Sequence, residues 1–231
     1  MRRRPWVIVP AAGAGRRMQA DRPKQYLPLA GSHVLALTLE RLLCLQPQAL
    51  VLVLAADDPY RYHDAAAPLI YACGGAERCH SVWAGLQALA GRAYHDDIVL
   101  VHDAARPCVR VSDLIALWQI VADEPDGALL AAPVRDTMKR ADAAGHIAET
   151  VSRERLWHAL TPQGFRYGDL CAVLQQVLAA GHLPSDEASA FEFLGRAPRL
   201  LAAAQDNIKI TYPEDHALAA AILRAQGENG A

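Results

Sequence analysis

The chain has no long apolar run, no excess of either charge and no paired cysteine spacing, and each absence removes a class of protein. Nowhere do the roughly 18 consecutive apolar residues of a membrane span occur. The nearest approach is WVIVPAAGAG behind MRRR, which resembles the basic and apolar regions of a signal peptide. Pro10, Gly13 and Gly15 interrupt it, however, and Arg16 and Arg17 follow at once. A soluble cytoplasmic protein is expected. A formal net charge of -2 at pH 7 supplies no broad field for nucleic acid or a membrane surface, so an anion site has to come from local clustering. The cysteines, Cys44, Cys73, Cys79, Cys108 and Cys171, are odd in number and form no CxxC pair, which argues for a reducing compartment rather than a disulfide framework. Cys73, Cys79 and His80 lack the second half of a zinc pattern. No repeat, low-complexity tract or linker divides the 231 residues, so one domain over 1–231 is expected.

What is present is a recurrent alternation. Short apolar runs, WVIV at 6–9, ALVLVLA at 49–55, DIVLVH at 97–102, ALLAAPV at 128–134 and RLLAAA at 199–204, read as strands buried on both faces. Amphipathic stretches at 33–44, 81–90, 111–122, 167–180 and 213–226 read as helices, with Ser112 and Asp113 as N-cap candidates and Gly181 as a C-cap. Strand and helix in turn predict an α/β fold with a doubly wound, mostly parallel sheet. Residues 135–157 break the rhythm with polar extended pieces around Ala143-Ala144-Gly145, a hairpin with little to bury. It reads as a projecting β-arm that packs on a second subunit, the alternative being an exposed flap on a monomer.

The stretch PAAGAGRRMQADRPKQY, 10–26, combines bare backbone with Arg16, Arg17, Arg22 and Lys24. A loop whose Gly13 and Gly15 permit close approach suits a phosphate cradle. It is not a P-loop, which closes on Gly-Lys-Ser/Thr, and Met18 stands where the dinucleotide fingerprint has its third glycine. Guanidinium and ammonium groups beside such a loop suit a polyphosphate, with charge neutralised at several oxygens, so a nucleoside triphosphate is expected.

Six ordered blocks extend this reading: AAGAGRRM…PKQY, VHDAARP at 101–107, PVRDTMKR at 133–140, WHALTPQGF at 157–165, SDEASAFE at 185–192 and DNIKIT at 206–211. Together the chain closely resembles the 2-C-methyl-D-erythritol 4-phosphate cytidylyltransferases. The resemblance implies a Rossmann-like nucleotidyltransferase fold and transfer of CMP from CTP to a sugar-alcohol phosphate, with magnesium as cofactor and pyrophosphate released, in non-mevalonate isoprenoid synthesis. It also implies a homodimer joined through a swapped arm. A fused second enzyme of the same pathway is not expected.

By the same resemblance, Arg17, Lys24 and Lys209 are the catalytic cations, with Arg16 close to the triphosphate. Ala11, Ala12, Gly13, Gly15, Gly75, Ala76 and Ser81 would contact base, ribose or phosphate, with Asp103 and Ala104 beside them. Arg106, Thr137, Arg153, Thr161 and Ser185 would serve the acceptor, and Arg153 would reach the neighbouring subunit's site. Asp103, at the end of a strand, is the first metal candidate and Asp206 a weaker one, although a strand-end Asp is often a helix N-cap. Arg140, Arg155 and Lys139 are alternatives to Arg153. His102 reads as a packed neighbour rather than an acid or base. Alternation along 207–210 puts Lys209 opposite Ile208 and Ile210. Ser185 replaces the family's usual threonine, and Ala14 fills a position often held by a larger residue.

An acceptor phosphate with a second pKa near 6 is largely dianionic at neutral pH and needs no general base. The lack of a Ser-His-Asp or Cys-His arrangement is therefore expected. The competing readings are a cytidylyltransferase for another polyol phosphate such as ribitol 5-phosphate, a non-catalytic nucleotide-binding protein and, weakest, an NAD-binding domain.

Overall fold

The computed structural model describes residues 3–13, 15–18, 20–63 and 66–228, the side chains of Arg16 and Glu228 excepted. Its central sheet has seven strands. In chain order these are β1 (Trp6–Pro10), β4 (Leu50–Leu54), β5 (Leu69–Cys73), β6 (Ile98–Val101), β7 (Ala128–Pro133), β10 (Trp157–Arg166) and β11 (Arg199–Ala202). Two small antiparallel pairs lie apart: β2 (Pro28–Leu29) with β3 (Ser32–His33), and β8 (Met138–Ala141) with β9 (Ile147–Val151). The sheet order is β11-β7-β10-β6-β1-β4-β5. Every pairing is parallel except those of β10, which runs antiparallel to both β6 and β7.

Helices cover both faces because the strands are apolar on both. Val7, Val9, Leu50, Leu52 and Leu100 pack against α1 (Val34–Leu43) and α3 (Val111–Val121). Ile8, Val51, Val53, Val99 and Val101 pack against α2 (Arg78–Gln87), α4 (Tyr167–Ala179) and α5 (Glu187–Phe193). There Phe165 and Phe191, both fully buried, stack at 4.5 Å between ring centres. Burying each ring contributes about 1.5–3 kcal/mol. The last helix, α6 (Pro213–Glu228), closes a third cluster of Met18, Leu29, Val34, Ala105, Cys108, Ile210 and Ala219, which anchors the chain around Lys209.

The five expected strands and five expected helices are all present, and Gly181 follows α4 with a φ of +73°. Two strands of the sheet, β5 and β10, the small pair β2–β3 and the helix α5 are additional. Ser112 and Asp113 are not N-caps. Arg110 holds that position, while Asp113, inside the first turn, accepts the Ala204 amide at 3.1 Å. Residues 207–210 form no strand; the segment is fixed instead by the Ile210 amide on the Ala105 carbonyl, 2.9 Å. The expected hairpin is β8–β9, turned by Asp142, whose Oδ1 accepts the Ala144 and His146 amides at 2.9 Å each. Among the described residues its strands pair only with each other, and Ile147 is 68% exposed.

Candidate active site

After β1 the chain crosses to β4 on one side, whereas β6 lies on the other, so the loops leaving β1 and β6 diverge. Open α/β sheets place ligands in such a crevice at the C-terminal ends of the strands. A cavity of about 600 Å³ opens there. Residues 10–13, Gly15, Arg17, Lys24 and Gln25 form one wall, 75–78 and Ser81 a second, and 103–105 with Lys209 a third.

The first wall is built around Lys24. Gly15 has a φ of +64°, and a Cβ at that position would sit 3.0 Å from Lys24 Cγ, so the sequence needs glycine there on both counts. The short turn Lys24–Tyr26 is fixed by the two residues that follow the lysine. Gln25 Nε2 donates to the Ala11 carbonyl at 2.7 Å, and Tyr26 Oη donates to the Asp58 carboxylate at 3.0 Å. Lys24 Nζ donates to the Ile210 carbonyl at 2.8 Å. Burial, with Lys209 next, pushes the Lys24 ammonium down to about 8 against the pull of Asp103. Arg17 is exposed on the cavity with its guanidinium over the Tyr212 ring, 5.7 Å from the centroid. The Ala11 amide and carbonyl are both taken, by Val53 and Gln25, whereas among the described residues no partner takes the amides of Ala12 and Gly13.

Asp103 organises the third wall. Its side chain is 8% exposed and meets three cations: Arg78 Nε at 3.0 Å on Oδ1, and Lys209 Nζ at 2.9 Å and Arg106 Nε at 3.4 Å on Oδ2. Burial alone would raise its pKa, but Arg78, Lys209 and Arg106 hold the carboxyl far below the usual carboxylate range. The Asp103 amide donates to Thr161 Oγ1 at 3.1 Å, and that hydroxyl donates to His102 Nδ1 at 3.0 Å. His102 Nε2 then donates to the Arg106 carbonyl at 3.1 Å. Burial pushes this imidazole down to about 4, so it is neutral, and both nitrogens are occupied. It is a packed neighbour, as its sequence context suggested.

The second wall is a tight turn. Gly74 lies so close to the first wall that a Cβ on it would fall 2.3 Å from the Ala12 Cβ. Ser81 Oγ accepts the Gly75 amide at 3.3 Å and donates to the Glu77 carbonyl at 3.3 Å, so this hydroxyl shapes the turn.

The cavity therefore unites Ala11, Ala12, Gly13, Gly15, Arg17, Lys24, Gly75, Ala76, Ser81, Asp103, Ala104 and Lys209. The other sequence candidates lie elsewhere. Asp206, the second metal candidate, lies off this cavity: its carboxylate accepts from Arg110 Nη2 at 2.8 Å and Gln226 Nε2 at 3.1 Å and lines a separate hollow beside α6. Arg22 pairs with Asp21 on the surface. Arg106, with its side chain 11% exposed, donates from Nη1 to the Asn207 carbonyl at 2.7 Å, and Thr161 is buried behind Asp103. Neither lines the cavity. Ser185 is exposed and bonds Ser189, 3.3 Å away. Thr137 and Arg153 are exposed at the base of the arm, where Arg153 Nη1 donates to the Arg135 carbonyl. The side chain of Arg16 lies outside the described residues.

Sequence reasoning missed Arg78 and its partner Glu187, and also Gln25. Arg78 did carry a signal. It occupies the first turn of a helix, where the backbone dipole disfavours a cation, and so requires a compensating carboxylate.

A divalent cation would find Asp103 as its strand-end carboxylate, with Glu77 also on the lining. Among the described residues no three carboxylate, imidazole or thiol groups converge. That donor set fits magnesium, which takes one or two carboxylates and draws its other oxygens from water and phosphate.

Sheet topology, crevice and converging cations together define an α/β nucleotidyltransferase. The family model described as IspD: 2-C-methyl-D-erythritol 4-phosphate cytidylyltransferase matches residues 6–225. The chain belongs to that family and is a cytidylyltransferase by membership. It is 52% identical over 221 residues to the enzyme of that name from Chromohalobacter salexigens, covering 94% of this chain and 89% of the relative. With the one from Vibrio atlanticus it shares 49% over 219 residues, 92% of each chain. The crystal structure of the Francisella tularensis enzyme superposes with a TM-score of 0.80 at 31% identity, covering 95% of this chain and all of the other. Among the described residues no helix is long and apolar enough to cross a membrane.

Proposed function

We propose that the cavity transfers CMP from CTP to 2-C-methyl-D-erythritol 4-phosphate in isoprenoid biosynthesis. An oxygen of the acceptor phosphate attacks the α-phosphorus, a new P–O bond forms, the α–β bridge breaks, and pyrophosphate leaves with the electron pair. The observation that carries this reading is the meeting of Lys24 and Lys209 beside Asp103, at the mouth of the glycine loop and in one cavity. Bringing a dianion to a triphosphate is chiefly a problem of charge, so the main contributions are positioning and neutralisation.

In this scheme Lys24 and Lys209 stabilise the charge growing around the α-phosphate, and Arg17 and Arg16 hold the triphosphate. The amides of Ala12 and Gly13 receive phosphate or ribose. The turn of Gly75 and Ala76, shaped by Ser81, takes the base, with Ala11, Gly15 and Ala104 packing beside it. A magnesium ion held by Asp103 would neutralise phosphate charge when bound. Thr137 and Arg153 belong to an arm, about 135–157, through which a cytoplasmic homodimer completes the acceptor site. Arg106, Thr161 and Ser185 act from behind or beside that pocket, Thr161 by fixing the backbone of Asp103. The rest of the chain is a single catalytic domain.

The test is pyrophosphate release by the purified protein with CTP and magnesium. The expected result is a strong preference for 2-C-methyl-D-erythritol 4-phosphate over ribitol 5-phosphate. The reverse preference would keep the phosphate chemistry and overturn the acceptor, and release with neither would make the chain a nucleotide-binding protein.

A further inference from the structure

Asp103 has two chemically different sides. Oδ2 faces Lys209 at 2.9 Å, whose side chain is 37% exposed, with Arg106 Nε farther off at 3.4 Å, whereas Oδ1 is met by Arg78. Arg78 is held from its far end, because both terminal nitrogens donate to Glu187: Nη1 to Oε1 at 2.6 Å and Nη2 to Oε2 at 3.1 Å. Glu187 is itself only 1% exposed. It opens α5, and that end of the helix is clamped to the sheet. Gln163 of β10 donates from Nε2 to Asp186 Oδ2 at 2.8 Å and accepts the Ala188 amide on Oε1, also at 2.8 Å. Asp186 and Ser189 complete a capping box across the same turn.

We propose that Glu187 is a positioning residue for the transfer: its two-pronged pair with Arg78 fixes Asp103 through Oδ1 and leaves Oδ2 as the oxygen that exchanges partners when metal and nucleotide bind. The inference rests on the reading of the cavity given above. A guanidinium bridging two carboxylates can do this, since its planar fork serves both in fixed directions, whereas a lysine ammonium offers a single point of charge. Glu187 also offsets one of the three cations around Asp103. Without it, Arg78 would bear on the aspartate alone and compete with any cation there.

The test is a double-mutant cycle on the full chain with E187Q, R78Q and the double variant, together with R78K. Two quantities are measured: kcat with CTP and acceptor, and the affinity for Mn²⁺ in the presence of CTP, read by the loss of free-ion electron spin resonance. Each single variant is expected to lose about 10- to 100-fold in both, as supporting residues of metal sites do, with KM for CTP changed less than about threefold. The double variant is expected to be no worse than R78Q, since Glu187 acts through Arg78. Additive losses, or a lowered melting temperature with unchanged Mn²⁺ affinity and kcat, would overturn the proposal. If E187Q does not fold, R78K decides: wild-type Mn²⁺ affinity and kcat would sink it. If the wild-type protein binds Mn²⁺ and CTP but transfers nothing, the functional reading fails, and the Mn²⁺ cycle still decides the role of Glu187.

Discussion

Lys24 Nζ lies 2.8 Å from the carbonyl oxygen of Ile210, the residue after Lys209, so segments 186 positions apart in the chain place two ammonium groups at one end of the cavity. Neither cation is there by chance of exposure. Gly15 makes room for Lys24, and the amide of Ile210 holds the second segment on Ala105.

Lys24→Ala should therefore lower kcat by about 10²- to 10³-fold, the scale for removing one preorganised charge-stabilising group. KM for CTP should change much less, because the ammonium matters more as charge develops than in the ground state. Steady-state kinetics with varied CTP check this. A variant with unaltered kcat would remove Lys24 from the chemistry.

The same lysine sets a pH limit. Its ammonium is pushed down to about 8 in the free protein, against an ordinary 10.5. Since the charged form is needed, kcat/KM should fall as pH rises through about 8, while bound triphosphate restores the charge and carries the kcat plateau higher. For folding the sign is opposite: between about 8 and 10.5 the unfolded chain holds a proton that the folded one has lost, so this group's contribution to stability improves as pH rises. Lys24→Arg should move the alkaline limb of kcat/KM upward. An unchanged limb would assign it to another group.

Much of this arrangement was legible in the sequence, and what was not has physical causes. The buried strands announced themselves as unbroken apolar runs. β5 did not, because it is an edge strand with exposed Tyr71 and Cys73. β10 was hidden by Pro162 and Gly164, residues that argue against a central strand; its register shifts between Ala159 and Gln163. α5 is seven residues long and is capped by Asp186 and Ser189 rather than by the commoner Glu or Gln pairing. At the site, Lys209 lines the cavity although residues 207–210 form no strand, and Asp206 three residues earlier turns to Arg110, an orientation that spacing does not give. Long-range ion pairs such as Arg78 with Glu187 leave little local trace.

Asp103→Asn should cost stability as well as activity. Arg78, Arg106 and Lys209 would then face one another across a buried amide, and losing one partner of a buried ionic cluster typically costs about 3–5 kcal/mol. Urea unfolding at pH 7 measures it. A variant as stable as the parent would mean that the three cations find other partners or water, and that the aspartate is kept for catalysis alone.

The arm offers a decisive mixing experiment. Lys24→Ala and Arg153→Ala should each be nearly inactive alone. If Arg153 serves the neighbouring subunit's cavity, a heterodimer of the two variants has one site carrying both changes and one carrying neither. Random exchange at equal amounts makes half the dimers mixed, so about a quarter of wild-type activity should return. If the arm folds back on its own chain, every site keeps one lesion and nothing returns. The exposure of Ile147 and the self-contained pairing of β8 with β9 favour the first outcome, since a hairpin that buries so little in its own subunit needs another surface to hold it.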